Sequence, residues 1–306
     1  MVKPHEKCCC LLVVLLFVSA MVHPATGEMN LTISVPKDRI VSGEPLAFEL
    51  ALEMNAETEP PFPSVEFTID NRRHGTPYEM LAQGEKPAFR RDGNRFVHRF
   101  LGYILLDLGD KQLPLLEPGV YSLKAIADGQ ESNALAITVE ETSFAEARDM
   151  FCRKEVAVSI HMGRALPEAK ALMREIVQKA PESIYGIYAG FFVLQEDEKG
   201  IVPRHTATKE EVLEVWQRKA ALAFRYEAIA RALPDPSLLR EKALFGAAKL
   251  HCLVKRVDEA KKDALEIIEK YPPSEIRKNA ESMVEEINGV LARSKSNGKE
   301  PPQSKP

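Results

Sequence analysis

After its first thirty residues the chain holds five histidines, His74, His98, His161, His205 and His251. Imidazole is the usual choice for metal binding or proton transfer near neutral pH. No two of these stand two or four residues apart, and no His-Glu-x-x-His occurs. Spacing therefore predicts no metal site. No Gly-x-Ser-x-Gly elbow presents a nucleophilic serine. Ser34-Val35-Pro36-Lys37 matches the Ser-x-x-Lys string of β-lactamase-like enzymes, but the Ser-Asp-Asn and Lys-Thr-Gly elements are missing. Ser34 also falls on an expected strand, where that chemistry needs a helix start. Neither a Walker A loop nor a Rossmann glycine fingerprint is present. The residues thus predict no catalytic site, no cofactor and no metal.

What remains is recognition chemistry. Tyr185, Tyr188, Phe191 and Phe192 crowd one short segment. Tyr188, Phe191 and Phe192 share a helix face by their spacing. This group is the candidate partner-binding surface, with packing against a neighbouring helix as the other reading. Trp216 lies in an apolar stripe and is expected in the core. Cys152 and Cys252 are expected as separate thiols rather than a disulfide.

The elements that would position these residues begin with a leader. Lys3 and Lys7 precede the apolar run Cys8–Val22, and His23-Pro24-Ala25-Thr26-Gly27 follows. A cationic start, a short apolar middle and small residues at the exit make a secretory signal peptide, residues 1–27. Cleavage falls after Gly27 or after Ala20. Cys8, Cys9 and Cys10 leave with it, and adjacent cysteines cannot converge on one tetrahedral ion. The expected location is periplasmic or secreted. The mean hydropathy of −0.21 excludes a multispanning membrane protein. The net charge of −4 gives no support for nucleic-acid binding. It divides into +1 for residues 1–27, −8 for residues 28–141 and +3 for residues 142–306.

Residues 28–141 alternate polar and apolar side chains, as in Asn30–Val35, Leu46–Glu53 and Val65–Ile69. About seven short strands separated by turns predict an antiparallel β-sandwich. Near the end stands Glu117-Pro118-Gly119-Val120-Tyr121, followed by Asp128-Gly129, Ser132-Asn133 and Ile137-Thr138-Val139. This run resembles Ig-like modules of bacterial exported proteins. The resemblance implies a tyrosine corner, with the Tyr121 hydroxyl turned back to the backbone upstream.

At Thr142 the period changes to that of helices. Ser143-Phe144-Ala145-Glu146 and Thr208-Lys209-Glu210-Glu211 read as capping boxes, and Asp235-Pro236 as a further helix start. Seven helices are expected, near 143–161, 166–180, 183–195, 208–233, 236–255, 257–271 and 274–293. Residues 167–183 align without gaps on 258–274, with eight of seventeen positions identical. Ala169 and Ala260 each precede a proline, Pro181 or Pro272, by twelve positions, and Ala157 and Ala248 hold an upstream small position. This spacing resembles the tetratricopeptide repeat (TPR), which implies an α-helical repeat superhelix over 142–293. Arg153 and Lys255 stand where that family usually has Trp and Gly. Residues 294–306 are expected to be a disordered tail.

The combined expectation is multidomain, all-β followed by all-α. Its function would be that of a non-catalytic exported scaffold or adaptor that binds a protein or peptide partner through its repeats. The alternative is a carbohydrate-binding or cell-envelope structural module acting through sandwich aromatics, drawn from Phe62, Tyr78, Phe89, Phe96 and Tyr103.

Overall fold

The computed structural model describes residues 29–70, 72–74, 89–104, 117–201 and 208–296. The leader 1–27, Tyr78, His205 and residues 297–306 lie outside them. Among the described residues ten strands come first, in two sheets. One sheet runs β1 (Met29–Ser34), β3 (Leu46–Asn55), β7 (Arg95–Ile104), β6 (Arg90–Asp92). The other runs β2 (Arg39–Val41), β10 (Leu135–Glu140), β8 (Gly119–Ala127), β4 (Val65–Ile69), β5 (Arg72–His74), with β9 (Gln130–Glu131) paired to β8. Every pairing is antiparallel except β2 with β10. The arrangement fits a β-sandwich.

Alternation explains which faces meet. Phe48, Leu50 and Leu52 of β3 point inward with Phe100 of β7, and meet Phe67, Leu123, Ala125 and Ile137 of the other sheet. The Phe48 ring lies 4.8 Å from Phe67 and 5.4 Å from Phe100, both edge-on. Gly102 pairs with Phe48 across the ladder, and a Cβ there would stand 2.8 Å from that ring. Tyr121 donates its hydroxyl proton to the Glu117 carbonyl at 2.8 Å, as the corner motif predicts. Asn133 does the work of a strand residue. Its Oδ1 accepts from the Ile33 N–H and its Nδ2 donates to the Ile33 carbonyl, both at 3.0 Å.

Among the described residues the helical half has eight helices: α1 (Ala145–Phe151), α2 (Lys154–Met162), α3 (Ala169–Lys179), α4 (Ile184–Gly200), α5 (Lys209–Ala232), α6 (Leu238–Leu253), α7 (Val257–Lys270) and α8 (Glu275–Ser296). Seven were expected. The predicted first helix is broken at Cys152-Arg153, and its Ser143 capping box does not form, since Phe144 is the N-cap and no side chain caps it. The Thr208 box does form, with Glu211 Oε2 accepting from the Thr208 N–H at 2.7 Å. Ser237, rather than Asp235, caps α6. Helix α8 extends to Ser296, three residues into the expected tail.

The internal repeat has a structural counterpart. Ser183 and Ser274 both cap helices, each accepting from a backbone N–H three residues on at 3.0 Å. Ala169 and Ala260, like Ile176 and Ile267, are wholly buried. Helices α2 and α6 also end alike. After α2, Gly163 is left-handed and Arg164 donates back to the Ser159 carbonyl; after α6, Lys255 is left-handed and Arg256 donates to the His251 carbonyl. Both are Schellman motifs. Lys255, at φ 63°, occupies a conformation that favours glycine. Lys255→Gly is therefore expected to raise stability by about 1 kcal/mol, read from the urea midpoint.

Candidate functional site

The two halves share one apolar seam. Leu101 and Tyr103 of β7, and Ala47 of β3, point away from the sandwich core and join the helical core. The Tyr103 ring packs edge-on against Tyr188 at 5.9 Å, and its hydroxyl accepts from the Leu239 N–H at 3.2 Å in the first turn of α6. Tyr185 donates its hydroxyl proton to the Ser42 carbonyl. Glu44 is buried beside these rings, ion-paired with Lys37, and burial raises its pKa. Burial likewise pushes the Tyr103 hydroxyl up to about 12 and that of Tyr188 well above its ordinary value.

The sequence-predicted aromatic group is thus brought together, but inside. Tyr185, Tyr188, Phe191 and Phe192 are all buried on α4. Tyr185 and Tyr188 face the sandwich, Phe191 and Phe192 meet edge-on at 5.2 Å, and Phe191 also meets Tyr226 of α5. Packing, not an open contact face, is what their positions produce. Of the sandwich aromatics proposed for carbohydrate, Phe96 and Tyr103 are buried, and Phe62 and Phe89 pack on each other at 5.3 Å against the core.

The exposed apolar surface lies elsewhere. The apolar stripe of α5 that holds Trp216 is core only in its second half. Leu222, Ala223, Tyr226 and Ala230 are buried, whereas none of residues 209–221 is. Leu213 is 58 % exposed, Trp216 39 % and Phe224 44 %, which corrects the core placement of Trp216. Leu213, Trp216, Ala220 and Phe224 follow i, i+3, i+7, i+11 and so form one stripe about 16 Å long. Arg256 lies over the Phe224 ring, 4.7 Å from its centroid. Among the described residues no helix is long and apolar enough to cross a membrane.

Beneath Phe224 lies a polar cluster that spacing rules could not find, because each member comes from a different helix. Glu227 is on α5, His251 on α6 and Asp263 on α7. The His251 Nε2 is 2.9 Å from Glu227 Oε1, and Arg231 holds Glu227 Oε2 at 2.9 Å. Asp263 Oδ2 and His251 Nδ1 are buried without a hydrogen-bond partner. Burial, then the nearby Glu227 charge, pushes the Asp263 carboxyl up to about 7. Cys152 and Cys252 are free thiols, Cys152 half-buried and Cys252 exposed. A shallow depression of about 460 Å³ along α7 is lined by Lys261, Lys262, Glu266 and Glu269, among others, and gathers no convergent chemistry.

Ion pairs elsewhere tie helices together. Lys170 of α3 meets Glu196 of α4 at 2.6 Å, and Lys199 adds a second contact at 2.8 Å. The Lys170 and Lys199 hydrogen bonds hold the Glu196 carboxyl down to about 2. The unfolded value is about 4.3, so this stabilisation is present above that pH and lost as pH falls through about 2. After solvent screening it is about 1 kcal/mol or less. Glu196→Gln should lower stability by that amount at pH 7 and by much less at pH 2, compared by urea unfolding.

No protein-family model matches the chain, and no curated protein matches it. Among solved structures, the CARDB domain of a Pyrococcus furiosus protein, solved with di-metal ions, is 12 % identical over 38 % of this chain and 90 % of that one, with a TM-score of 0.24. The alkylpurine DNA glycosylase AlkC of Pseudomonas fluorescens, bound to DNA with an abasic-site analogue, is 16 % identical over 37 % of this chain and 31 % of its own, with a TM-score of 0.24. A polysaccharide lyase is 9 % identical over 87 % of this chain and 39 % of its own, with a TM-score of 0.19. At such scores none of the three guides the reading of this chain, whose observed architecture is an all-β N-terminal part joined to eight helices.

Proposed function

We propose that the chain is an exported, non-catalytic scaffold in which an Ig-like sandwich carries a TPR-like helical array. In this reading the array binds an amphipathic helix of a protein partner along Leu213, Trp216, Ala220 and Phe224. The observation that carries it is the overhang of α5, where two large apolar side chains stand on turns with no buried residue. An unpartnered apolar stripe on a helix is matched by the i, i+3, i+4, i+7 anchors of a second helix. A large exposed aromatic at the centre of such a face is the residue type that dominates interface energy. Export rests on the leader Met1–Gly27, and the repeat reading on the 167–183 and 258–274 match. The seam stabilises a fixed placement of the sandwich against α4 and α6.

The test is a comparison. The full chain and its Leu213→Glu/Trp216→Glu variant are immobilised and exposed to the same envelope extract. A protein retained by the first and lost from the second, with matching circular dichroism, is the expected result. Identical retention by both would overturn the proposal.

A further inference from the structure

We propose that Glu227, His251 and Asp263 bind a divalent transition-metal ion of the zinc class and so clamp α5, α6 and α7. The candidate ligand atoms all lie within 4.8 Å of one another. Zinc bonds of ~2.0–2.2 Å place tetrahedral ligands ~3.5 Å apart, so the set would have to close by about 1 Å. His251 is wholly buried and Asp263 is 4 % exposed. Asp263 Oδ2 is unpartnered inside the protein, which is the second and independent sign of a missing partner. The Glu227–His251 contact leaves Asp263 Oδ2 and His251 Nδ1 without a partner.

Charge points the same way. Two carboxyl groups and an imidazole share one largely buried place, with Arg231 on Glu227. Lys262, Glu266 and Arg231 are the other charged groups acting on Asp263. A divalent cation offsets the remaining negative charge. One imidazole among two carboxylates favours zinc over magnesium or calcium, which select all-oxygen sites. Arg231 would orient Glu227 from outside the ligand set. The Phe224 ring lies edge-on to His251 at 5.3 Å, and Arg256 lies over that ring, so the site would be covered on this side, with the fourth tetrahedral position left to water.

The full chain, stripped with a chelator and dialysed, is titrated with zinc ion and followed by metal analysis and thermal unfolding. Asp263→Asn and Glu227→Gln are titrated in parallel, with circular dichroism to check folding. Cys8, Cys9 and Cys10 can take up zinc, so the readout is the difference between wild type and variants. Cobalt(II) is the second probe. The expected result is a zinc-dependent rise in Tm that magnesium and calcium do not give, absent from both variants. The cobalt complex should show tetrahedral ligand-field bands that the variants lack. An equal rise in wild type and both variants, or no rise in wild type, would overturn the proposal.

Discussion

Replacing Gly186 with alanine is expected to cost about 3 kcal/mol or more, read as a fall in the urea midpoint at unchanged slope. Glycine inside a helix is ordinarily worse than alanine, so a naive expectation has the opposite sign. Geometry decides it. A Cβ on Gly186 would stand 2.0 Å from the Ala180 carbonyl oxygen and 3.0 Å from Pro181 Cα. Both obstacles are backbone, so relief requires the start of α4 to move off the end of α3. That start is fixed by Ser183, whose Oγ accepts from the Gly186 N–H, and by the buried rings of Tyr185 and Tyr188 just beyond. The second repeat solves the same junction differently. Its equivalent of Gly186 is Arg277, which donates Nη1 to the Tyr271 carbonyl, the equivalent of Ala180, at 2.9 Å. Alanine at 186 would have neither the room of glycine nor the reach of arginine.

Tyr103→Ala is expected to cost about 3–5 kcal/mol, from the lost ring and the space it leaves. The ring is buried against Tyr188, and its hydroxyl satisfies the Leu239 N–H. Tyr103→Phe separates the two contributions. It keeps the ring, leaves that N–H without its acceptor, and should cost about 1–3 kcal/mol. Because Tyr103 belongs to β7 and its partners to α4 and α6, the alanine variant should also loosen the seam. Hydrogen exchange would show faster exchange in α6 with the sandwich strands unchanged. Equal acceleration throughout the chain would contradict a local seam.

Much of the fold is legible because period and caps are local. Alternation at Leu46–Glu53 and the serines after Pro181 and Pro272 report directly on strands and helix starts. Burial is another matter. Tyr188 and Trp216 both sit in apolar helical stripes, yet one is enclosed and the other exposed. The difference lies in where α4 and the sandwich stop, and that is set by long-range packing. The break at Cys152-Arg153 is likewise invisible to a helical period that continues across it. His251 reads as an isolated histidine because Glu227 and Asp263 reach it from other helices. Spacing rules detect ligands carried by one element, not by three.

Trp216 is the single tryptophan of the chain, so its fluorescence reports on the proposed binding stripe alone. The free protein should emit as a solvent-exposed indole and be readily quenched by acrylamide. Adding the protein retained by wild type but not by the Leu213→Glu/Trp216→Glu variant should shift the emission to the blue and protect it from quenching. Unchanged emission and quenching at saturating partner would contradict binding along the α5 overhang.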